Sequence, residues 1–273
     1  MVSTSYVGDS DGKRVARASF WLAAIQSMTR IVPGPILYLA SRDAGDYRCL
    51  RGWGGGLEDR AVGYDIDPDA IRLAQERYPA ARLALGDITE SEHLNRADIV
   101  FIDTCSNASN TLCALIRKIS REISVGCLLG IGFMMGREMD RANVAIGNRR
   151  WRRRIGFDRV SNAPTQETTD PKVLTVERRL GIVRAAIGAV AELLHVQIYN
   201  SGHTPMVYAL FRYGVPWKGR ESVPGIYEPI PIRSAALQFL SQGIPPNDVA
   251  DILNVDARTV AAWAAHRTMG TYQ

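Results

Sequence analysis

Two aspartates, Asp65 and Asp67, close the apolar run at 61–64 and stand directly before Pro68. An ionised carboxylate accepts two hydroxyl hydrogen bonds at once, so an acid at a strand end suits the paired hydroxyls of a ribose. Proline at a first helical position costs no hydrogen bond, and one aspartate suffices to cap the helix it begins. That leaves the other for chemistry. Gly45 precedes Asp65 by 20 residues, close to the span of a loop, helix and strand in a nucleotide-binding unit. Three more apolar runs end in polar residues: ILYLASRDAG at 36–45, ARLALGD at 81–87 and ADIVFIDTCSN at 97–107. Polar groups gathered at the carboxyl ends of parallel strands point to an adenosine-containing ligand at that edge. Asp103 is the best placed base or orienting acceptor, and Thr104, Ser106 and Asn107 could hydrogen-bond a substrate. Cys105 has no visible base beside it and reads as a packing residue.

Periodicity supplies the elements that would hold these residues. An amphipathic helix is expected over 15–28, with Phe20, Trp21, Ala24 and Met28 on one side, stopped by Pro33-Gly34-Pro35. Strands are expected at 36–40, 61–64, 81–85, 99–102 and 127–133, and helices at 68–78, 110–123 and 173–194. RGWGGG at 51–56 reads as a loop because it is glycine-rich. Two strand-like runs, 195–200 and 206–212, flank SGHTP and predict a terminal β-hairpin.

This gives an α/β class with a Rossmann-like sheet ending in an antiparallel β-hairpin, plus a small C-terminal helical module. The expected divisions are an N-terminal segment and helix at 1–30, an α/β domain at 31–214, a linker at 215–232 and the module at 233–273. The module's helices fall at 234–242, 246–253 and 257–266, with Asn254-Val255-Asp256 as a turn, a spacing that resembles a helix-turn-helix.

The chain has 273 residues, enough for a full core. No apolar run reaches the roughly 18 residues that cross a bilayer. The N-terminus lacks the basic start and apolar centre of a secretory signal, so a cytoplasmic protein without membrane attachment is expected. Four scattered cysteines, with no close pair, exclude a zinc-binding spacing and no metal is expected.

Charge is concentrated. Between 137 and 159 lie eight arginines against three acids, a local excess equal to the +5 of the whole chain. Arginine forks onto phosphate and stacks on bases. Arg149, Arg150, Trp151, Arg152, Arg153 and Arg154 combine phosphate anchors with one aromatic. DNA or RNA is therefore the expected partner through 137–159. In the C-terminal module Arg258 could contact nucleic acid, but its net charge of −1 over 234–273 equally suits a homo-oligomer or protein partner.

The strand-ending residues, taken over 31–213, resemble the class I S-adenosylmethionine-dependent methyltransferases. That resemblance implies S-adenosyl-L-methionine as cofactor. It places Ala40, Ser41 and Gly45 in the loop beneath the methionine part, Asp65 on the ribose, Ile66 against the adenine and Asp87 near the adenine amino group. Asp103 and Asn107 would flank the transferred methyl in the fourth strand-end loop. The family's GxGxG loop is here Ala40-Ser41-Arg42-Asp43-Ala44-Gly45, and alanine resists the positive φ that glycine allows. Arg42 should turn toward a phosphate or carboxylate rather than a sulfonium. No DPPY-type loop, Pro-Cys dipeptide or Lys-Asp-Lys-Glu series identifies an acceptor atom. The implied activity is methyl transfer to DNA or RNA. The alternatives are a small-molecule or protein methyltransferase, or a non-catalytic nucleic-acid-binding protein on such a fold.

Overall fold

The computed structural model describes residues 10–29, 33–134, 171–188, 190–201, 204–216, 225–226 and 231–269. The arginine-rich segment, with Arg149, Arg150, Trp151, Arg152, Arg153 and Arg154, lies outside the described residues.

The first helix, α1 (Asp11–Ser27), starts four residues before the expected position because Ser10 caps it, its Oγ accepting from Lys13 N. Then come β1 (Ile36–Leu39), α2 (Gly45–Trp53), α3 (Leu57–Arg60), β2 (Ala61–Asp65), α4 (Pro68–Arg77), β3 (Arg82–Leu85), β4 (Ile99–Asn107), α5 (Asn110–Glu122) and β5 (Leu128–Met134). Beyond the arginine-rich segment follow α6 (Pro171–Ile187), β6 (Ala191–Ser201), β7 (Thr204–Tyr213), β8 (Gly225–Ile226), α7 (Ile232–Ser241), α8 (Pro246–Leu253) and α9 (Ala257–Met269).

The strands form one sheet in the order β3-β2-β1-β4-β5-β7-β6-β8. Neighbours among β1 to β5 are parallel, whereas β7 runs antiparallel between β5 and β6. Chain order reverses between β1 and β4, so the loops leaving those two strands diverge and open a crevice at their carboxyl ends. Alternation sorts the side chains into two layers. Ile36, Tyr38, Ile99 and Phe101 join Phe20 and Trp21 of α1 on one face, while Leu37, Val100 and Ile102 join α5 and α6 on the other. Phe20 stacks on Phe101 with centroids 4.3 Å apart, an arrangement that fixes α1 across the sheet.

Three expectations need correction. RGWGGG is not a loop throughout: Arg51, Gly52 and Trp53 complete α2, and only Gly54, Gly55 and Gly56, with φ of 69°, 70° and 69°, form the turn. A Cβ at Gly52 would stand 2.8 Å from Ile252 Cγ1 and 3.0 Å from Ile252 N. Its glycine therefore serves a close helix crossing between α2 and α8, not flexibility. The helix expected over 173–194 ends at Ile187, followed by Gly188 at φ 114°. Residues 191–194 join β6 instead, where Glu192 opposes Arg212 and pairs with it at 3.0 Å. Strand pairing outweighed the helical tendency of Ala-Glu-Leu-Leu. The expected linker at 215–232 contains β8, which pairs with β6 at Val196↔Gly225.

The C-terminal helices pack against α1 and α2. Ala235, Ala236, Phe239, Val249, Ile252, Leu253 and Val260 belong to the same buried cluster as Phe20 and Trp21. Trp53 meets Phe239 edge-on at 5.4 Å, and Arg51 pairs with Asp251 at 3.1 Å. Arg14 of α1 donates to the carbonyl of Asn254, which ends α8 in the left-handed conformation at φ 52°. Arg258 is exposed on the first turn of α9, its backbone N–H bonded to Asp256. Among the described residues no helix is long and apolar enough to cross a membrane.

Candidate active site

The crevice begins with the loop after β1. Ala40 N donates to Tyr64 O at 2.7 Å, and Ala44 N to Ser41 O at 2.9 Å, folding 41–44 into a turn. Ser41 Oγ donates to Asp43 Oδ1 at 2.5 Å. Ala44 sits at φ 47°, ψ 39°, the left-handed conformation that the sequence made doubtful for alanine. Gly45 then opens α2, which no side chain caps. Asp46 is buried, accepting from Trp21 Nε1 at 2.9 Å and pairing with Arg17 Nε at 3.2 Å. Burial raises the Asp46 pKa, against the opposing pull of Arg17 and the Trp21 hydrogen bond.

At the end of β2 the two carboxylates divide their work. Asp67 caps α4 by accepting from Asp69 N at 3.0 Å, and its other oxygen accepts from Arg42 Nη2 at 3.0 Å. Arg42 thus turns to a carboxylate, as expected, and its hydrogen bond helps hold Asp67 below the usual range. Asp65 uses Oδ1 to accept from Asp67 N at 2.9 Å; its Oδ2 has no hydrogen-bond partner among the described residues. Ile66 beside it is 77% exposed. Across the register Asp65 faces Leu85, which is 61% exposed. Two large apolar side chains left in solvent at adjacent strand ends offer a flat ring a surface to cover. Asp87, just past β3, caps a short turn by accepting from Thr89 N at 2.9 Å. Burial opposes its ionisation, but the Thr89 hydrogen bonds and Lys118 outweigh that and keep its pKa low. An open hollow of about 490 Å³ begins one residue beyond Asp67, lined by Pro68, Ile71, Arg72, Gln75, Glu76 and Leu85. Asp65 is not among those residues; the hollow lies along α4 beside the sheet edge rather than at the crevice.

The fourth strand end departs from expectation. Residues 103–107 are not a free loop: β4 continues to Asn107, which pairs with Met134 across an irregular register beginning at Asp103. Cys105 takes up the irregularity at φ 47°. A local hydrogen bond, Cys105 N to Asp103 Oδ1 at 3.3 Å, holds the bulge. The side chain of Asn107 lies outside the described residues.

The side chain of Asp103 is 7% exposed. Its Oδ2 accepts from Tyr208 at 2.8 Å and pairs with Lys13 Nζ at 3.0 Å, while Oδ1 takes the Cys105 N–H and thiol. A Cβ on Gly132 would come within 2.7 Å of Oδ1, so glycine on β5 leaves room for the carboxylate. Burial raises the Asp103 pKa, but the Lys13 charge and the Lys13 and Tyr208 hydrogen bonds dominate and set it below normal. For Lys13 burial lowers the pKa and Asp103 more than restores it, leaving the ammonium firmly charged. A carboxylate this well satisfied is a poor proton acceptor. Orientation, not general-base chemistry, is the role it suits. Cys105, read from the sequence as a packing residue, is exposed on the bulge; desolvation of its sulfur and the Asp103 charge push the thiol up to about 11, so it is protonated at neutral pH.

Ala40, Ser41, Gly45, Asp65 and Asp103 are thus brought to the carboxyl edge of β1, β2 and β4, with Ile66 and Asp87 toward its β3 side. Sequence reasoning missed Lys13, Arg17, Asp46 and Tyr208. Lys13 and Arg17 stand four apart on one helical face, and Tyr208 shares its strand face with Met206 and Leu210; those spacings were the available signal. Among the described residues no cluster of His, Cys, Asp and Glu could hold a metal.

No family model matches the chain, and no curated protein matches it. Among solved structures it is similar to the N-methyltransferase NodS from Bradyrhizobium japonicum WM9, at 15% identity over 75% of this chain and 98% of that chain, TM-score 0.43. NodS with S-adenosyl-L-homocysteine matches at 12% identity, covering 77% and 91%, TM-score 0.44. An rRNA methylase from Streptococcus thermophilus matches at 14% identity, covering 71% and 93%, TM-score 0.37. Five parallel strands ordered 3-2-1-4-5, with antiparallel β7 set between β5 and β6, give this chain a mixed α/β sheet.

Proposed function

We propose that the chain is an S-adenosylmethionine-dependent methyltransferase whose acceptor is DNA or RNA. The observation that carries the cofactor reading is the Asp65 carboxylate, with one oxygen uncommitted, beside exposed Ile66 at the β2 end. These residues fit an adenosine. Asp65 would take the ribose hydroxyls, Ile66 and Leu85 the base, Asp87 the base amino group, and the turn Ala40–Ser41–Gly45 the amino-acid end. When bound, S-adenosylmethionine supplies an electrophilic methyl group.

The chain's own residues then have to align an acceptor, which is the main demand of such a transfer. Asp103, held by donors on both oxygens, would orient the acceptor side of the crevice as a fixed negative charge rather than take a proton. Asn107, two residues beyond Cys105, would add a second polar contact. The arginines at 149, 150, 152, 153 and 154, with Trp151, would hold phosphates and stack on a base, and Arg258 on α9 would add a distant contact.

The test is transfer of labelled methyl from S-adenosylmethionine into DNA or RNA, with binding followed across a salt series. Replacing the five arginines with alanine should weaken nucleic-acid binding and flatten its salt slope by roughly 0.7–0.9 for each phosphate that is no longer neutralised. Label entering only small molecules or protein, with an unchanged salt slope, would contradict the nucleic-acid acceptor. A second reading, ligand binding without methyl transfer, is favoured by the saturation of Asp103. Tight binding of S-adenosylmethionine with no transfer to any acceptor would select it.

A further inference from the structure

The loop after β1 holds an alanine where backbone sterics resist one. Ala44 is left-handed at φ 47°, a conformation that residues with a Cβ rarely keep unless their surroundings impose it. On its N-terminal side a local turn acts, through Ala44 N to Ser41 O. On its C-terminal side the next two residues are gripped from another element. The guanidinium of Arg17, itself 1% exposed, lies where a Gly45 Cβ would stand, 2.6 Å from Cζ and 2.9 Å from Nη2. Arg17 Nε also pairs with Asp46, and Trp21, one turn further along α1, donates to the same carboxylate. Arg17 and Trp21 thus hold the Asp46 side chain, and the Arg17 guanidinium sits over Gly45, the residue that follows Ala44.

We infer that Arg17 is a positioning residue: with Trp21 and Asp46 it forms a buried clamp that holds the 40–46 loop in its ligand-ready shape, replacing the freedom that glycines would give. Gly45 is needed because the guanidinium occupies the space of a side chain. The clamp makes α1, outside the α/β unit proper, part of the binding site. Its consequence for affinity rests on the cofactor reading above; its consequence for loop conformation does not.

The experiment uses the full chain and four forms: wild type, Ala44→Gly, the pair Arg17→Met with Asp46→Asn, and all three changes together. The paired change removes the ion pair while leaving an amide oxygen for Trp21 and no unpaired buried charge, so the fold is kept. S-adenosylhomocysteine is titrated by calorimetry, and thermal melting is followed without ligand. The clampless pair should bind about tenfold more weakly, equivalent to about 1.4 kcal/mol, and adding Ala44→Gly should restore most of that loss. In melting, Ala44→Gly should stabilise the wild type, where the left-handed shape is enforced, but not the clampless form, where the loop relaxes. A merely structural Arg17 would give no rescue by a change at position 44. Equal effects of Ala44→Gly on melting in both backgrounds would overturn the clamp. Absence of binding to the wild type would sink the cofactor reading, and the melting comparison would still judge the clamp.

Discussion

The ends of β2 and β4 both present an aspartate to the same crevice, and they treat it in opposite ways. Asp65 spends one oxygen on the turn to Asp67 and leaves the other uncommitted. Asp103 is nearly sealed and has donors on both oxygens, from Lys13, Tyr208 and Cys105. The same residue type is therefore an acceptor with one oxygen uncommitted at one strand and a fixed electrostatic anchor at the other. Removing the first should cost binding and spare the fold; removing the second should cost the fold.

The largest effect should come from Asp103→Asn. It keeps the shape but leaves the largely enclosed Lys13 ammonium without its counterion, which costs about 3–5 kcal/mol. Chemical denaturation would read this as a drop in stability, and a loss under about 1 kcal/mol would erase the contrast with Asp65. The pH dependence sharpens the point. The Asp103 pKa is lowered in the folded state, so its contribution is present above the unfolded value of about 3.9 and is lost as pH falls through the lower folded value. The Lys13 pKa is raised, so that contribution is present below about 10.4 and lost as pH rises through the higher folded value.

Acid instability at milder pH should have a different source. His195 is half-buried, its Nε2 is sealed from solvent and unpartnered among the described residues, and burial lowers its pKa from 6.5 to about 4. The unfolded chain takes up that proton first, so stability should fall by about 3 kcal/mol between pH 6.5 and 4. His195→Gln should remove most of this slope, leaving the Asp103 transition below it. Persistence of the full slope in that variant would transfer it to other groups.

The smallest effect should come from Ile66→Ala. Being exposed in the free protein, Ile66 contributes little to the fold, so melting should barely move. Without its apolar side chain against a bound base, affinity for S-adenosylhomocysteine should weaken about five- to tenfold, roughly 1 kcal/mol. Unchanged affinity would detach Ile66 from the adenine.

What the sequence disclosed follows from how local each cause is. Pro68 after Asp67 announced α4 and its cap, and the acid-ended run 61–65 announced β2, because those signals lie within a few residues of what they specify. Gly52 misled because its reason is the close approach of Ile252, two hundred positions away. Residues 191–194 misled because strand partners at 211–213 were not visible from their own helical tendency. The site shows the same division. Asp65 and Ile66 were readable from one strand end, whereas Lys13, Arg17 and Tyr208 reach the crevice from α1 and β7. Their roles depend on how those elements cross the sheet.

The most direct test is calorimetric titration of S-adenosylhomocysteine into the wild type and Asp65→Asn, with thermal melting of both. The substitution keeps an oxygen for the Asp67 turn but removes the charge, so melting should be unchanged while affinity falls by about ten- to a hundredfold. Equal affinity in the two proteins would contradict the assignment of the β2 end to an adenosine.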